Sequence, residues 1–300
     1  MKNKILIITG GRISKIEPFI EPAKRLGINL TIASFYDLEF QDGSDYVLKV
    51  LGENVSSFDT IYIRMVGKRL EEASLLVGYA KSKGVKLVDR LYEEAYMMPI
   101  SLSKVIELSI LIKNKIPVPR TYFGSLANIK SKASGIVGFP FVLKSTSGKK
   151  AREVWFPRTP EELDVLIREL KKEEREGKRF FAQEFTKASQ RVRVFVLGGR
   201  ALGAITRPTK WRKQFIEKTN GEFPEGEKMA LAPIPEKYSS LAIAAARVVG
   251  LDIAGVDLAE EDISGKIVVW EVNSAPAWKL IAKDTGINIE EKILKWIQTR

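Results

Sequence analysis

Gly255-Val256-Asp257-Leu258 and, after a short interval, Val268-Val269-Trp270-Glu271-Val272-Asn273-Ser274 are the stretches on which the reading of this chain turns. Both are dense in branched apolar residues, and a polar, glycine-containing segment from Glu260 to Lys266 separates them. That is the pattern of two β-strands joined by a turn. A hairpin turning near Ser264 sets Asp257 roughly opposite Glu271. Glu271 and Asn273 are two residues apart, so they leave the same face of their strand. Two carboxylates and a carboxamide then converge as hard oxygen donors, the type that Mg²⁺ takes while keeping waters and substrate phosphates. Taken alone, the pattern also describes an edge hairpin whose acidic residues face water. Acidic residues inside otherwise apolar strands favour a site.

The chain has 300 residues, enough for two or three modest domains with substantial cores, and its 45% hydrophobic content is that of a soluble globular protein. No apolar run approaches the roughly 20 residues of a membrane span. The apolar part of Met1-Lys2-Asn3-Lys4-Ile5-Leu6-Ile7-Ile8 is too short for a signal peptide, so a cytoplasmic location is expected. Cysteine and histidine are both absent. Disulfides, thiol nucleophiles, Cys/His zinc sites and histidine acid–base catalysis are thereby excluded. Chemistry is left to Lys, Arg, Asp, Glu, hydroxyls, backbone groups or a metal held by oxygen. The formal charge of +12 fits an acidic partner without identifying it, because the basic residues are spread along the chain.

The first hundred residues alternate strand patterns (5–8, 30–33, 60–65, 86–89) with helical spacing (17–26, 70–83), which predicts an α/β unit with a mostly parallel sheet. Gly10-Gly11 reads as a simple turn, since the three-glycine dinucleotide fingerprint is missing. Arg64 closes a strand, where open α/β sheets place ligands, although a surface arginine reads the same way. A helix over 101–114 carries Lys104 in its first turns and ends at Ile116-Pro117-Val118-Pro119. Phe139-Pro140-Phe141-Val142-Leu143-Lys144 is an apolar strand with an interior lysine, which calls for an anionic partner. The following Ser145-Thr146-Ser147-Gly148-Lys149-Lys150 can cradle phosphate oxygens, or be a solvated hairpin with basic decoration.

Thr159 caps a helix over 159–177, with Pro160 in its first turn and Leu163, Leu166, Ile167 and Leu170 as its apolar stripe. A strand over 180–185 follows, then a hairpin over 191–206 turning at Gly198-Gly199. Residues 207–221 are basic and irregular, as functional loops often are. An Ala-rich helix over 239–249, ended by Gly250, leads into the opening hairpin, and helices over 280–285 and 289–297 close the chain.

From Lys104 onward the chain resembles the ATP-grasp superfamily, and within it the RimK-like amino-acid ligases. The resemblance rests on Ile253-Ala254-Gly255-Val256-Asp257, on Glu271-Val272-Asn273-Ser274-Ala275-Pro276, and on the tail from Ile281 to Ile289. It implies an α/β (α+β ATP-grasp) fold. An N-terminal parallel-sheet domain would span 1–98, and two α+β subdomains, 99–185 and 186–300, would hold ATP between them. It implies that Asp257, Glu271 and Asn273 ligate Mg²⁺, with Mn²⁺ as the alternative. It also implies that Lys104 and Lys144 contact phosphates, and that Ser147, Gly148 and Lys149 form the small loop over them. By the same resemblance Gln183, Glu184 and Phe185 form the hinge around adenine. Arg207, with Arg193 beside it, holds phosphate or an acyl phosphate. Asn220 matches an asparagine before the last domain, and Arg64 an arginine near the acceptor.

Two departures from the family pattern stand out: the small loop is lysine-rich instead of glycine-rich, and Arg191 occupies a usually acidic position. They leave the substrate, and the ribose or acceptor side of the cleft, open. The expected activity is ATP-dependent carbon–nitrogen ligation through an acyl phosphate, joining glutamate or a similar amino acid to an acidic small molecule, coenzyme or protein tail. The rival readings are a ligase for a biosynthetic intermediate or small peptide, and a non-catalytic nucleotide-binding protein that associates with nucleic acid. No membrane partner is expected, and a homo-oligomer is compatible with the sequence.

Overall fold

A computed structural model describes residues 4–41, 47–94, 103–146, 153–209 and 229–299. The first strand, β1 (Lys4–Thr9), is apolar on both faces and is followed by α1 (Ile20–Leu26) and β2 (Asn29–Ser34). A small antiparallel sheet of β3 (Leu38–Gln41), β4 (Val47–Val50) and β5 (Glu53–Asn54) comes next, which the sequence pattern did not announce. Then β6 (Thr60–Met65), α2 (Leu70–Ser82), β7 (Lys86–Val88) and α3 (Arg90–Glu94) complete the unit. Its main sheet is parallel, in the order β2-β1-β6-β7, as the strand–helix alternation requires. The expected helix over 17–26 opens as a 3₁₀ turn over Glu17–Phe19, because Pro22 has no N–H to close an α turn onto Pro18 O.

The next helix, α4 (Lys104–Lys113), is capped by Ser103, whose hydroxyl accepts from Ile106 N. A second sheet, β10-β9-β11-β8, is antiparallel and comprises β8 (Thr121–Gly124), β9 (Phe141–Ser145), β10 (Val154–Trp155) and β11 (Phe180–Glu184). Two helices, α5 (Leu126–Val137) and α6 (Pro160–Arg175), share its core with Phe141, Leu143, Phe180 and Ala182. Thr159 caps α6 as the sequence predicts. The α5 segment was not legible as a helix. It contains Asn128, Ser131, Ser134 and Gly135, all poor formers, and it folds because Leu126, Ile129, Ala133 and Val137 meet the core.

The third sheet has the order β13-β12-β14-β15 and is antiparallel throughout. It contains β12 (Gln190–Leu197), β13 (Arg200–Pro208), β14 (Ile253–Glu260) and β15 (Ile267–Asn273). Between β13 and β14 runs α7 (Glu236–Val248), and α8 (Lys279–Thr285) and α9 (Ile289–Gln298) follow the sheet. Side chains alternate across each strand. Val192, Val194, Val196, Val256, Leu258 and Val272 therefore face α7, whose Ala242, Ala245 and Ala246 allow close approach. Leu111 of α4 joins this core, so the Lys104 helix packs with the third sheet. On the opposite face, Phe195, Ile205, Ile253 and Trp278 form one core with Ile5, Ile7 and Tyr62 of the first sheet and Ile293, Leu294 and Ile297 of α9. The first and third sheets are thus fused through buried apolar surface, while the second has a core of its own.

Asp89 reinforces the fusion. It is buried at the end of β7, and its Oδ1 accepts from the backbone N–H groups of Asp252 (2.9 Å) and Ile253 (2.8 Å), at the start of β14. Arg90 adds an ion pair to Asp252, and Leu91 N donates to Gly250 O. Replacing Asp89 by Ala leaves two buried donors without acceptors, each costing about 1–3 kcal/mol. Urea unfolding should show Asp89→Ala destabilised by about 2–4 kcal/mol and Asp89→Asn by clearly less, since the amide keeps an acceptor oxygen.

Candidate active site

The apolar half of the third sheet's front face is core; its other half is a row of charged and polar side chains. Cross-strand register places Arg191 opposite Arg207, Arg193 opposite Asp257, Asp257 opposite Glu271, and Gly255 opposite Asn273. The hairpin expected from the sequence is present with the expected pairing. Between Asp257 and Leu258 the register of β15 shifts, leaving Trp270 as the extra residue of a β-bulge beside Glu271. Gly255 is required here for a physical reason. A Cβ at this position would stand 2.7 Å from Pro276 Cβ, so only glycine lets the loop after Asn273 fold back onto the strand.

Asp257 is buried, and Arg193 forks onto it, Nε to Oδ1 and Nη2 to Oδ2, both at 2.6 Å. Arg191 Nη1 stands farther off, 3.5 Å from Oδ2. Asn273 donates its Nδ2 to Gly255 O (3.1 Å), which leaves its Oδ1 as the end available to a cation. Arg207 donates to Asp284 Oδ2 (2.6 Å) on α8 and to Thr206 O. Arg64 reaches from β6 to donate to Pro276 O (2.5 Å), with its guanidinium over the Trp278 ring at 4.2 Å. Arg64 therefore holds the loop that follows the metal-type residues, a positional task that strand-end logic alone did not supply.

Lys144, on β9, donates to Gln183 Oε1 (2.5 Å), and Gln183 Nε2 donates to Thr121 Oγ1. Gln183 is buried in a central strand, so its carboxamide orients the lysine instead of facing the surface. Glu184 is tied to Arg120 by an ion pair at 2.9 Å, and Phe185 packs against Phe156 with ring centroids 4.7 Å apart. The direct partner of Lys144 is thus a neutral amide, where an anion was expected. The carboxyl groups of Glu271 and Glu107 act on it through space. Burial, and next the charge of Lys104, push the Lys144 ammonium down to about 8, against the pull of Glu271 and Glu107.

Glu107 was not singled out from the sequence. It lies three residues after Lys104 on α4, buried, and its Oε1 accepts from Val272 N at 2.6 Å, between Glu271 and Asn273. Burial foremost, then the charge of Glu271, hold its carboxyl well above the usual carboxylate range, while the Val272 N–H and Lys104 pull it down. The available signal was an acid beside Leu108 on a stripe continuing to Leu111. Lys104, Glu107, Lys144, Asp257 and Glu271 are therefore one electrostatic cluster contributed by α4, β9, β14 and β15. Ser147, Gly148, Lys149 and Asn220 lie outside the described residues.

The donor set fits a hard divalent cation. Among the described residues no three acidic side chains form a closed cage. Two carboxylates and a carboxamide suit an ion that completes its shell with water and phosphate oxygens. Each Asp257 oxygen accepts one N–H from Arg193 and keeps a second lone pair for a cation.

Two antiparallel sheets, one carrying the Asp257–Glu271 hairpin and the other the interior Lys144, are the arrangement of an ATP-grasp ligase. The chain belongs to the RimK-like ATP-grasp family, whose domain matches residues 102–297. A probable alpha-L-glutamate ligase of Legionella pneumophila (strain Corby) is 25% identical over 256 residues, which span 83% of this chain and 79% of that one. Among solved structures, the ATP-grasp ligase PsnB complexed with a minimal precursor superposes with a TM-score of 0.73 at 16% identity, covering 100% of both chains. PsnB complexed with a phosphomimetic variant of that precursor, Mg and ADP gives 0.72, again at 16% identity and covering 99% of each chain. The protein is an ATP-dependent ligase, and no helix among its described residues is long and apolar enough to cross a membrane.

Lys144 titrates where this can be observed. Its folded-state pKa is lowered, so the ammonium is fully charged only below about 8 and is lost as pH rises through that value. Metal-free binding of ATP, measured by calorimetry, should weaken as pH rises above about 8. In Lys144→Arg the dependence should flatten, since a guanidinium does not deprotonate.

Proposed function

We propose that the chain joins a carboxylate to an amine through an acyl phosphate, adding glutamate or a similar amino acid to an acidic acceptor. The observation that carries this is the Asp257–Glu271–Asn273 row on β14 and β15, onto which the Lys104 helix is bonded through Glu107 at Val272 N. The alpha-L-glutamate ligase relative supports the amino-acid class, and the precursor complexes of PsnB make a peptide acceptor reasonable. In this reading residues 1–98 form the preceding domain, 99–185 the lysine and hinge wall, and 186–300 the metal wall, acting in the cytoplasm.

The roles follow from the side chains' chemistry. Glu184 and Phe185 border the base, with Gln183 behind them. Lys104 and Lys144 neutralise phosphate oxygens, helped by the small loop at Ser147, Gly148 and Lys149. Asp257, Glu271 and Asn273 would hold Mg²⁺, which when bound neutralises charge on the phosphate oxygens. A substrate carboxylate oxygen attacks the γ-phosphorus, and ADP departs. Arg207 and Arg193 stand where developing negative charge on the acyl phosphate is to be held. The amine then attacks the acyl carbon and phosphate leaves. Arg64 keeps the loop after Asn273 in place near the acceptor side, and Asn220 belongs to the same reading. No enzyme nucleophile is needed, in keeping with a chain that has neither Cys nor His.

The test is ADP release and product mass across a panel of carboxylates and amines, with wild type and an Asp257→Ala, Glu271→Ala double variant. Wild type should sustain ADP release over many turnovers only when both substrates are present. The variant should lose at least about a hundredfold in turnover, or about 2.7 kcal/mol of transition-state stabilisation, and should also unfold at a lower midpoint because Arg193 loses its partner, while circular dichroism shows it folded at the assay temperature. Normal turnover in the double variant would sink the site assignment.

A further inference from the structure

Arg191 is the member of the charged row to which the roles above give no task. It stands two residues before Arg193 on β12, with Arg207 opposite on one side and Ala259 on the other, so its side chain leaves the same face as Arg193 and Asp257. Its neighbours are already committed. Arg193 occupies both Asp257 oxygens at 2.6 Å, closer than the 3.5 Å approach of Arg191. Arg207 is taken by Asp284 at 2.6 Å. The Nε of Arg191 is buried and has no hydrogen-bond partner among the described residues. A guanidinium offers five donors and no acceptor. This one is short of acceptor oxygens, and an anion is what supplies them.

Its place along the sheet says which anion. The hinge strand β11 leads into β12 through residues 186–189, and the β14–β15 turn is stitched to that connection. Asp262 N donates to Lys187 O (2.8 Å), and Ser189 donates its N–H and O–H to Asp262 Oδ1. The hinge end of the third sheet is therefore the Ala259 end, and the metal-type end is the Gly255–Asn273 end. Arg191 lies on the hinge side of Arg193 by two strand residues, roughly 7 Å. A nucleotide with its base at the hinge and its terminal phosphates at Asp257 and Glu271 lays its sugar and first phosphate along this interval.

We propose that Arg191 binds the α-phosphate of the nucleotide, so that the sugar end of ATP is recognised through charge more than through the 2′-hydroxyl. The proposal rests on the ATP site described above. A donor-only fork matches phosphate oxygens in bidentate fashion and accepts nothing from a sugar hydroxyl.

The experiment is metal-free calorimetric binding of adenosine, AMP and 2′-deoxy-AMP to the full chain, as wild type, Arg191→Gln and Arg191→Lys, with ATP as a control. Wild type should prefer AMP over adenosine by about ten- to a hundredfold, the worth of a charge-assisted contact. It should bind 2′-deoxy-AMP much like AMP. Arg191→Gln should erase the preference without changing adenosine affinity, and Arg191→Lys should keep part of it. Thermal unfolding of both variants establishes that they are folded, and the Lys variant carries the test if the Gln variant is not. An unchanged AMP preference in Arg191→Gln, while ATP still binds, overturns the Arg191 assignment alone. Failure of wild type to bind ATP at all overturns the nucleotide site, and this assignment with it.

Discussion

The fork from Arg193 to Asp257 is the interaction on which the third sheet's front face depends. A carboxylate buried in mid-sheet is tolerable only when its charge is matched and its oxygens are hydrogen-bonded, and two contacts of 2.6 Å do both. The fork also fixes register. Strand side chains alternate with a period of two, so the pairing that faces Asp257 and Arg193 to the cleft also sends Val256 and Val194 to α7. A slip by one residue would drive the carboxylate among valines and expose the valines to solvent. The apolar back of the sheet and the charged front thus enforce the same alignment, and Glu271 inherits its position from it.

The cleft is bounded by two bodies of different construction. The first and third sheets share a core through Tyr62, Phe195 and Trp278, and α4 packs with the third sheet through Leu111. Lys104 and Glu107 therefore belong to the same body as Asp257 and Glu271. Lys144 and Gln183 belong to the second sheet, whose core of Phe141, Leu143, Phe180 and Leu166 is separate. The bond from Val272 N to Glu107 locks the Lys104 helix to the metal-type strand within one body. Lys144 feels the charges of that arrangement from the other sheet, with its own position set locally by Gln183.

What was legible in the sequence follows from the range of the forces involved. The β14–β15 hairpin, the Thr159 cap and the parallel first sheet rest on local periodicity and short-range hydrogen bonds, and the chain spells them out directly. The helix α5 was hidden because its stability comes from tertiary packing against weak local propensity. The small β3-β4-β5 sheet was hidden because its strands are short. At the site, the metal-type residues were legible because acids inside apolar strands are anomalous. Glu107 was not, since its meaning lies in a backbone N–H 165 residues away. Gln183 and Arg64 were marked as site residues, but their structural partners, Lys144 and Pro276, lie in distant parts of the chain.

The basic surplus of +12 acquires a narrower meaning at the site. The described cations of the cleft do not form an open positive surface. Arg193 is held by Asp257, Arg207 by Asp284, Arg64 by a carbonyl and an indole ring, and Lys144 by an amide. Each is aimed before any phosphate arrives, which removes much of the ordering cost from binding and from the transition state. Internal partners weaken the long-range pull on an anion and sharpen the geometry of the short-range one. A polyphosphate that enters must compete with Asp257 and Asp284 for their arginines. Selection then falls on ligands that carry their charge at the right spacing, and simple anions, lacking that spacing, gain little from arginines already held by carboxylates.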